Sequence, residues 1–160
     1  MDVYQLQRTL NQQNAMATQY EQQAAEFDSM ANSAQGTLNF INDQLSRARN
    51  AKAACDRVVA QQKEDCNDFR QYAQKIDSAL GVTKEFSSVA DSITADDEGY
   101  ASSAAKAALE LVQSLEQRSS SLSAQISSYR NQAATQRSKA SSARNAAYRT
   151  RIAIDQAYRQ

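Results

Sequence analysis

The stretch "LGVTKEFSSVADSITADDEG", Leu80 to Gly99, holds two of the chain's three glycines and separates two runs with a seven-residue apolar repeat. Those flanking runs decide the fold. In the first, steps alternating between three and four residues lead from Val3 through Leu6, Leu10, Gln13, Ala17, Tyr20, Ala24, Phe27, Ala31 and Ala34. The same step continues through Leu38, Ile41, Leu45, Ala48, Lys52, Cys55, Val59, Gln62, Cys66, Phe69, Ala73 and Ile76 to Leu80. Only Gln13, Lys52 and Gln62 interrupt it. A repeat kept in phase over so many turns is the pattern of a coiled-coil helix, here roughly 115–120 Å long at 1.5 Å per residue. Gly36 lies outside the repeat, which continues unchanged across it.

The second run begins at Ala101 and passes through Ala105, Ala108, Val112, Leu115, Ser119, Leu122, Ile126 and Tyr129. It ends through Ala133, Gln136, Ala140, Ala143, Ala147, Thr150, Ile154 and Ala157. Between the runs, Gly81 suits a helix C-cap and Thr83 suits the start of a short helix carrying Phe86, Val89 and Ile93. Thr94 or Asp96 would then cap the last helix, with Asp96, Asp97 and Glu98 favoured near its positive end. The expectation is an all-α fold: an elongated antiparallel two-helix coiled-coil hairpin with a short helical connector. Its arms span 2–80 and 100–160, the connector spans 81–99, and Gly81 and Gly99 mark the bend. Folding about residue 90 sets residues 133–147 opposite 33–47 and leaves the first ~20 residues overhanging.

Composition agrees with this reading. The chain of 160 residues contains no Pro, Trp or His, and its charge sums to zero. The distribution is uneven: residues 1–80 carry 8 bases and 10 acids, 81–99 carry 1 and 5, and 100–160 carry 9 and 3. An acidic first arm can complement a basic last arm across a helical seam. The stretch from Arg137 to Arg151, with Tyr148 inside it, offers a weaker nucleic-acid alternative. No apolar run approaches the ~18 residues of a membrane span. The start "MDVYQLQRTL" lacks a signal-peptide pattern, so the expectation is synthesis in the cytoplasm, with any export by a route that does not use such a signal.

The sequence points away from catalysis. Without His, a metal or general-base site would rest on carboxylates, Cys or Lys, and neither a CxxC pair nor a phosphate-cradling glycine loop occurs. No cofactor, metal or catalytic residue is assigned. A second stripe is the candidate binding feature. Met16, Met30, Val58 and Tyr72 share one heptad position beside the seam, Leu111 holds the corresponding position in the second run, and Ile152 lies near its end. A two-helix seam covers only its own two positions, so a wider apolar face implies a further helix, from a partner protein or a second copy. The alternative is that these residues are incidental.

The Ala/Gln/Ser-rich helices, the helical "FSSVADSI" before a bend glycine and the repetitive "LVQSLEQRSSSLSAQISSYRNQ" together resemble the helical hairpins of type VII secretion. These are the Trp-x-Gly superfamily and the partner proteins of LXG effectors. Asp97-Glu98-Gly99 stands at the Trp-x-Gly position, and Tyr148 is followed at +4 by Ile152. The resemblance implies a protein that pairs side by side with an effector's helical domain and helps target it for export. Read from the residues alone, a self-assembling filament or phage component is an alternative.

Cys55 and Cys66 both fall in the seam, eleven residues and ~16 Å apart on one helix, beyond the ~7 Å Cα separation of a disulfide. They are expected to be small buried thiols. The purified protein should therefore migrate identically on reducing and non-reducing gels; a difference would show a disulfide that this reading does not contain.

Overall fold

The computed structural model describes residues 2–159, with the side chains of all of these except Asp97 and Glu98. Two helices, α1 (Val3–Leu80) and α2 (Glu85–Ala157), make an all-α helical hairpin, and no strand occurs among the described residues. Asp2 starts α1: its carbonyl accepts from the Leu6 N–H at 3.1 Å and its carboxylate from the Tyr4 N–H at 3.3 Å. The carbonyl takes the first hydrogen bond of the helix, and the carboxylate satisfies one of the N–H groups that a helix start leaves without partners. Gly36 lies within α1, which runs on through it.

The bend is much shorter than the sequence suggests. Only residues 81–84 separate the helices, so the expected connector 81–99 is corrected: from Glu85 onward it belongs to α2, and Gly99 lies inside that helix. Thr83 precedes α2 without starting a separate short helix. Thr94 is buried within α2, its hydroxyl donating to the Ala90 carbonyl at 2.8 Å. Asp96 likewise lies inside α2 and starts no helix, while the side chains of Asp97 and Glu98 lie outside the described set. One glycine costs a helix only about 1 kcal/mol relative to Ala, too little to break a helix supported on both sides.

What stops α1 is Gly81, whose φ of 67° reverses the chain in the left-handed conformation open to glycine. The Val82 N–H then donates back to the Asp77 carbonyl at 3.1 Å. This is the six-to-one hydrogen bond of a Schellman C-cap. Lys84, at φ 59°, is a second left-handed residue, and its carbonyl accepts the first α2 hydrogen bond, from Ser88 at 3.1 Å. A lysine there brings no side-chain acceptor to the helix start. Asp77 supplies one from α1: its two carboxylate oxygens accept from the Phe86 N–H at 2.9 Å and the Ser87 N–H at 3.0 Å, and the Ser87 hydroxyl also donates to it. One residue thus closes α1 with its carbonyl and caps α2 with its side chain.

Clustering of contacts divides the chain into two compact units. The bend unit is Phe40–Ser119; the end unit joins Met1–Asn39 with Ser120–Gln160. In the bend unit Leu45, Ala48 and Val112 form a buried cluster with Leu115 packed against it. Nearer the bend, Ser87, Ala90 and Thr94 are the parts of α2 withdrawn from solvent. Phe86, Val89 and Ile93, which the sequence placed on a separate short helix, lie in α2 and are exposed.

The end unit packs on alanine. Ala17, Ala24 and Ala31 of α1 and Ala133, Ala140 and Ala147 of α2 are each at most 5% exposed. Its cross-helix pairs keep one register, seven residues forward on α1 matching seven back on α2: Glu21 with Arg144, Asp28 with Arg137, Gln35 with Arg130. Residues 137–144 therefore lie opposite 21–28, which corrects the expected pairing with 33–47. The expected overhang is corrected too: Gln13 accepts a hydrogen bond from Thr150 at 2.9 Å, and Val3, Leu6 and Leu10 are half-buried. Gln13 and Thr150, polar interruptions in their separate runs, satisfy each other.

Two predictions follow from the packing and the cap. Ala133 is fully buried, so Ala133→Leu should overpack the seam and cost about 1–3 kcal/mol in urea unfolding. The neighbouring exposed Ala134→Leu should stay within about 0.5 kcal/mol; equal effects would contradict the alanine seam. Asp77 has its carboxyl pKa lowered, chiefly by the Ser87 hydroxyl; desolvation opposes this, and the N–H groups of Phe86, Ser87 and Glu85 reinforce it. A carboxyl lowered on folding stabilises above its unfolded value of about 3.9, and that contribution is lost as pH falls through the folded value. Asp77→Ala should lower the urea midpoint at neutral pH, and its gap from wild type should narrow below about pH 3.9. A gap independent of pH would contradict the carboxylate cap.

Candidate interaction surface

Writing the heptad with a at Val3 and d at Leu6 of α1, and with d at Ala101 and a at Ala105 of α2, separates the two flanks of the seam. Reversing one helix against the other brings e beside e and g beside g. In the end unit the e flank is bridged by ion pairs and hydrogen bonds. Arg144 reaches Glu21 at 2.7 Å, Arg137 pairs with Asp28, and Arg130 donates to Gln35 at 3.4 Å. The Glu21 carboxylate raises the Arg144 pKa above its usual value, first through the hydrogen bond and then through its charge.

The bend unit bridges the same flank with the opposite polarity. Arg49 of α1 pairs with Glu116 of α2 at 2.7 Å, and Arg70 with Asp91 at 3.4 Å. Asn42 accepts from the Ser119 hydroxyl at 2.8 Å, and Asp77 caps α2 as described above. These α1 residues are all e positions at seven-residue multiples from Glu21. Exposed pairs of this kind add little stability individually, typically 0–1 kcal/mol. Their alternation of sign acts against slipped registers, because a shifted helix would lose partners or meet like charges.

The g flank is different. In the end unit Met16 and Met30 are about half exposed, with Ala146 and Ala153 on the corresponding positions of α2. Beside Met16 a groove of about 530 Å³ runs along Tyr20, Lys139, Ser142 and Ala146, with the Lys139 ammonium 5.7 Å from the Tyr20 ring centre. In the bend unit the g positions include Val58, Tyr72 and Leu111, exposed by 60%, 63% and 53%. Ala51 and Ala104 share this flank. Thus Met16, Met30, Val58, Tyr72 and Leu111 share the heptad position g, and in each unit they are about half exposed or more. Ile152 does not join them: it occupies an f position, away from the seam, and is 39% exposed.

The other sequence-derived residues have different roles. Gly81 holds the left-handed turn, whereas Gly99 lies in α2 with open space around its Cα. Cys55 is half-buried and Cys66 buried, and neither forms a disulfide. Among the described residues, no group of three or more Cys, Asp or Glu gathers as a metal site would require, and no helix is long and apolar enough to cross a membrane. The sequence reading missed the Asp77 cap and the outward direction of Phe86, Val89 and Ile93. It also overlooked the e flank, although acids at 21 and 28 and arginines at 130, 137 and 144 recur at seven-residue spacing in the sequence.

No family model, curated protein or solved structure matches the chain.

Proposed function

We propose that the chain is a non-enzymatic helical adaptor that receives a helix of another protein along its g flank. The observation carrying this reading is the asymmetry between flanks: one is bridged by cross-helix polar contacts, while the other exposes Met16 and Met30 in the end unit and Val58, Tyr72 and Leu111 in the bend unit. An amphipathic helix laid beside a seam recognises such a surface through residues spaced three, four and seven apart. Methionines adapt to the shape of an incoming side chain without strict geometry. The resemblance to type VII partner proteins supplies the biological version: the received helix belongs to an effector, and pairing helps target that effector for export.

Photo-crosslinking in the organism of origin tests this reading. Benzophenone side chains placed at Met30 and Val58 should crosslink to one recurrent helical protein, whereas probes at Glu21 and Arg49 on the bridged flank should not. With the probe moved to Tyr72, the double variant Met30→Glu/Val58→Glu should abolish the adduct while leaving unfolding free energy within about 0.5 kcal/mol per site, because both residues are about half exposed or more. Crosslinking of equal strength from both flanks, or none from either, would overturn the assignment.

A further inference from the structure

The first turns of α2 pack with small residues and display large ones. Ser87, Ala90 and Thr94 face inward, whereas Phe86, Val89, Ile93 and Tyr100 stand exposed. Their spacing of three, seven and fourteen residues from Phe86 makes an apolar stripe on the outward face, distinct from the g flank. Residues 85–100 carry five acids and no base; Glu85 and Asp96 are exposed beside the stripe. The last turns of α2 have the opposite character. Tyr148 and Ile152 lie one turn apart and exposed, as do Arg149, Arg151 and Arg159. Residues 144–159 carry four arginines and one acid.

We propose that the acidic apolar stripe at the start of α2 docks onto the basic apolar stripe at the end of α2 in a second copy of this chain. The argument is one of matching chemistry. Each surface offers apolar side chains at helical spacing, and each has the charge that the other needs around its rim. Electrostatic complementarity of this kind orients two surfaces and disfavours pairing of like with like. Two starts meeting would bring acids together, and two ends would bring arginines together, so the favoured contact joins unlike surfaces. Such a contact, made once between two copies, is heterologous and leaves each copy with one unused stripe for a further copy. The g flank takes no part, so this self-association and the capture of another protein are separable.

Charge-swapped variants test the contact. The wild type, 17.6 kDa as a monomer, should show a mass of at least two copies by light scattering at high micromolar concentration and low salt. Glu85→Lys/Asp96→Lys gives a chain with two basic stripes, and Arg149→Glu/Arg151→Glu gives one with two acidic stripes. Each alone should associate at least about tenfold more weakly, and mixing the two should restore association, since each then supplies the other's complement. The neutral pair Glu85→Gln/Asp96→Asn, which disturbs the helix start less, should give an intermediate loss. Met30→Glu/Val58→Glu should leave self-association unchanged. A monomeric wild type would overturn the proposal and leave the stripe to a different chain or to solvent. So would swapped variants that associate as wild type does, or a mixture that fails to recover.

Discussion

The carboxylate of Asp77 binds the start of α2 from the last turn of α1, and the place where the second helix begins depends on that link. Gly81 ends the first helix but does not determine where the second begins. Lys84 occupies the start of α2 in a left-handed conformation without a side-chain acceptor. Without Asp77, the first N–H groups of α2 would turn to water, and nothing in the bend itself would select Glu85 over a later start. Once the cap selects it, the following turns of α2 in the bend unit have defined opposite numbers on α1, as Arg70 with Asp91 and Arg49 with Glu116 show. A bend of residues 81–84 rather than 81–99 shifts that pairing by about two heptads.

The seam then sorts the sequence into three kinds of position. Alanines at the end unit's centre allow two backbones to pack with little side-chain volume between them. Their burial contributes less per residue than leucine would, since apolar stabilisation follows the area removed from water. Polar seam residues are accommodated in pairs, as Gln13 and Thr150 show. Beside the seam, the e flank carries register information through its charges, and the g flank sets methionine, valine, tyrosine and leucine among polar residues such as Gln23, Gln44 and Lys139. The division of labour between the flanks underlies the adaptor reading: one flank serves the hairpin, and the other is free to serve a visitor.

Much of this was legible in the sequence, and the failures have physical causes. Both seven-residue frames were readable because large and small apolar residues recur without a phase change, and nearly all of their positions are at least half-buried. The bend was misplaced for two reasons. Its cap acts across nine and ten residues, so no local cap pattern announces it. The inward face of early α2 consists of Ser87, Ala90 and Thr94, which give no hydrophobic signal, while Phe86, Val89 and Ile93 give a strong one toward solvent. A periodic stripe reveals an amphipathic helix but not which neighbour its apolar side meets. The same limit applied to Ile152, whose position near the end of the chain concealed its distance from the seam.

The register of α1 against α2, set in the end unit by the pairs Glu21–Arg144, Asp28–Arg137 and Gln35–Arg130, is the central claim, and pulsed electron-spin distance measurements test it most directly. With Cys55 and Cys66 replaced by Ala, spin labels at Asp28→Cys/Arg137→Cys should give the shorter separation. Labels at Asp28→Cys/Ile152→Cys should lie clearly farther apart, because position 152 is displaced roughly 22 Å along the axis of α2 from position 137. The reverse order, with positions 28 and 152 the close pair, would place the fold near residue 90 and contradict the account.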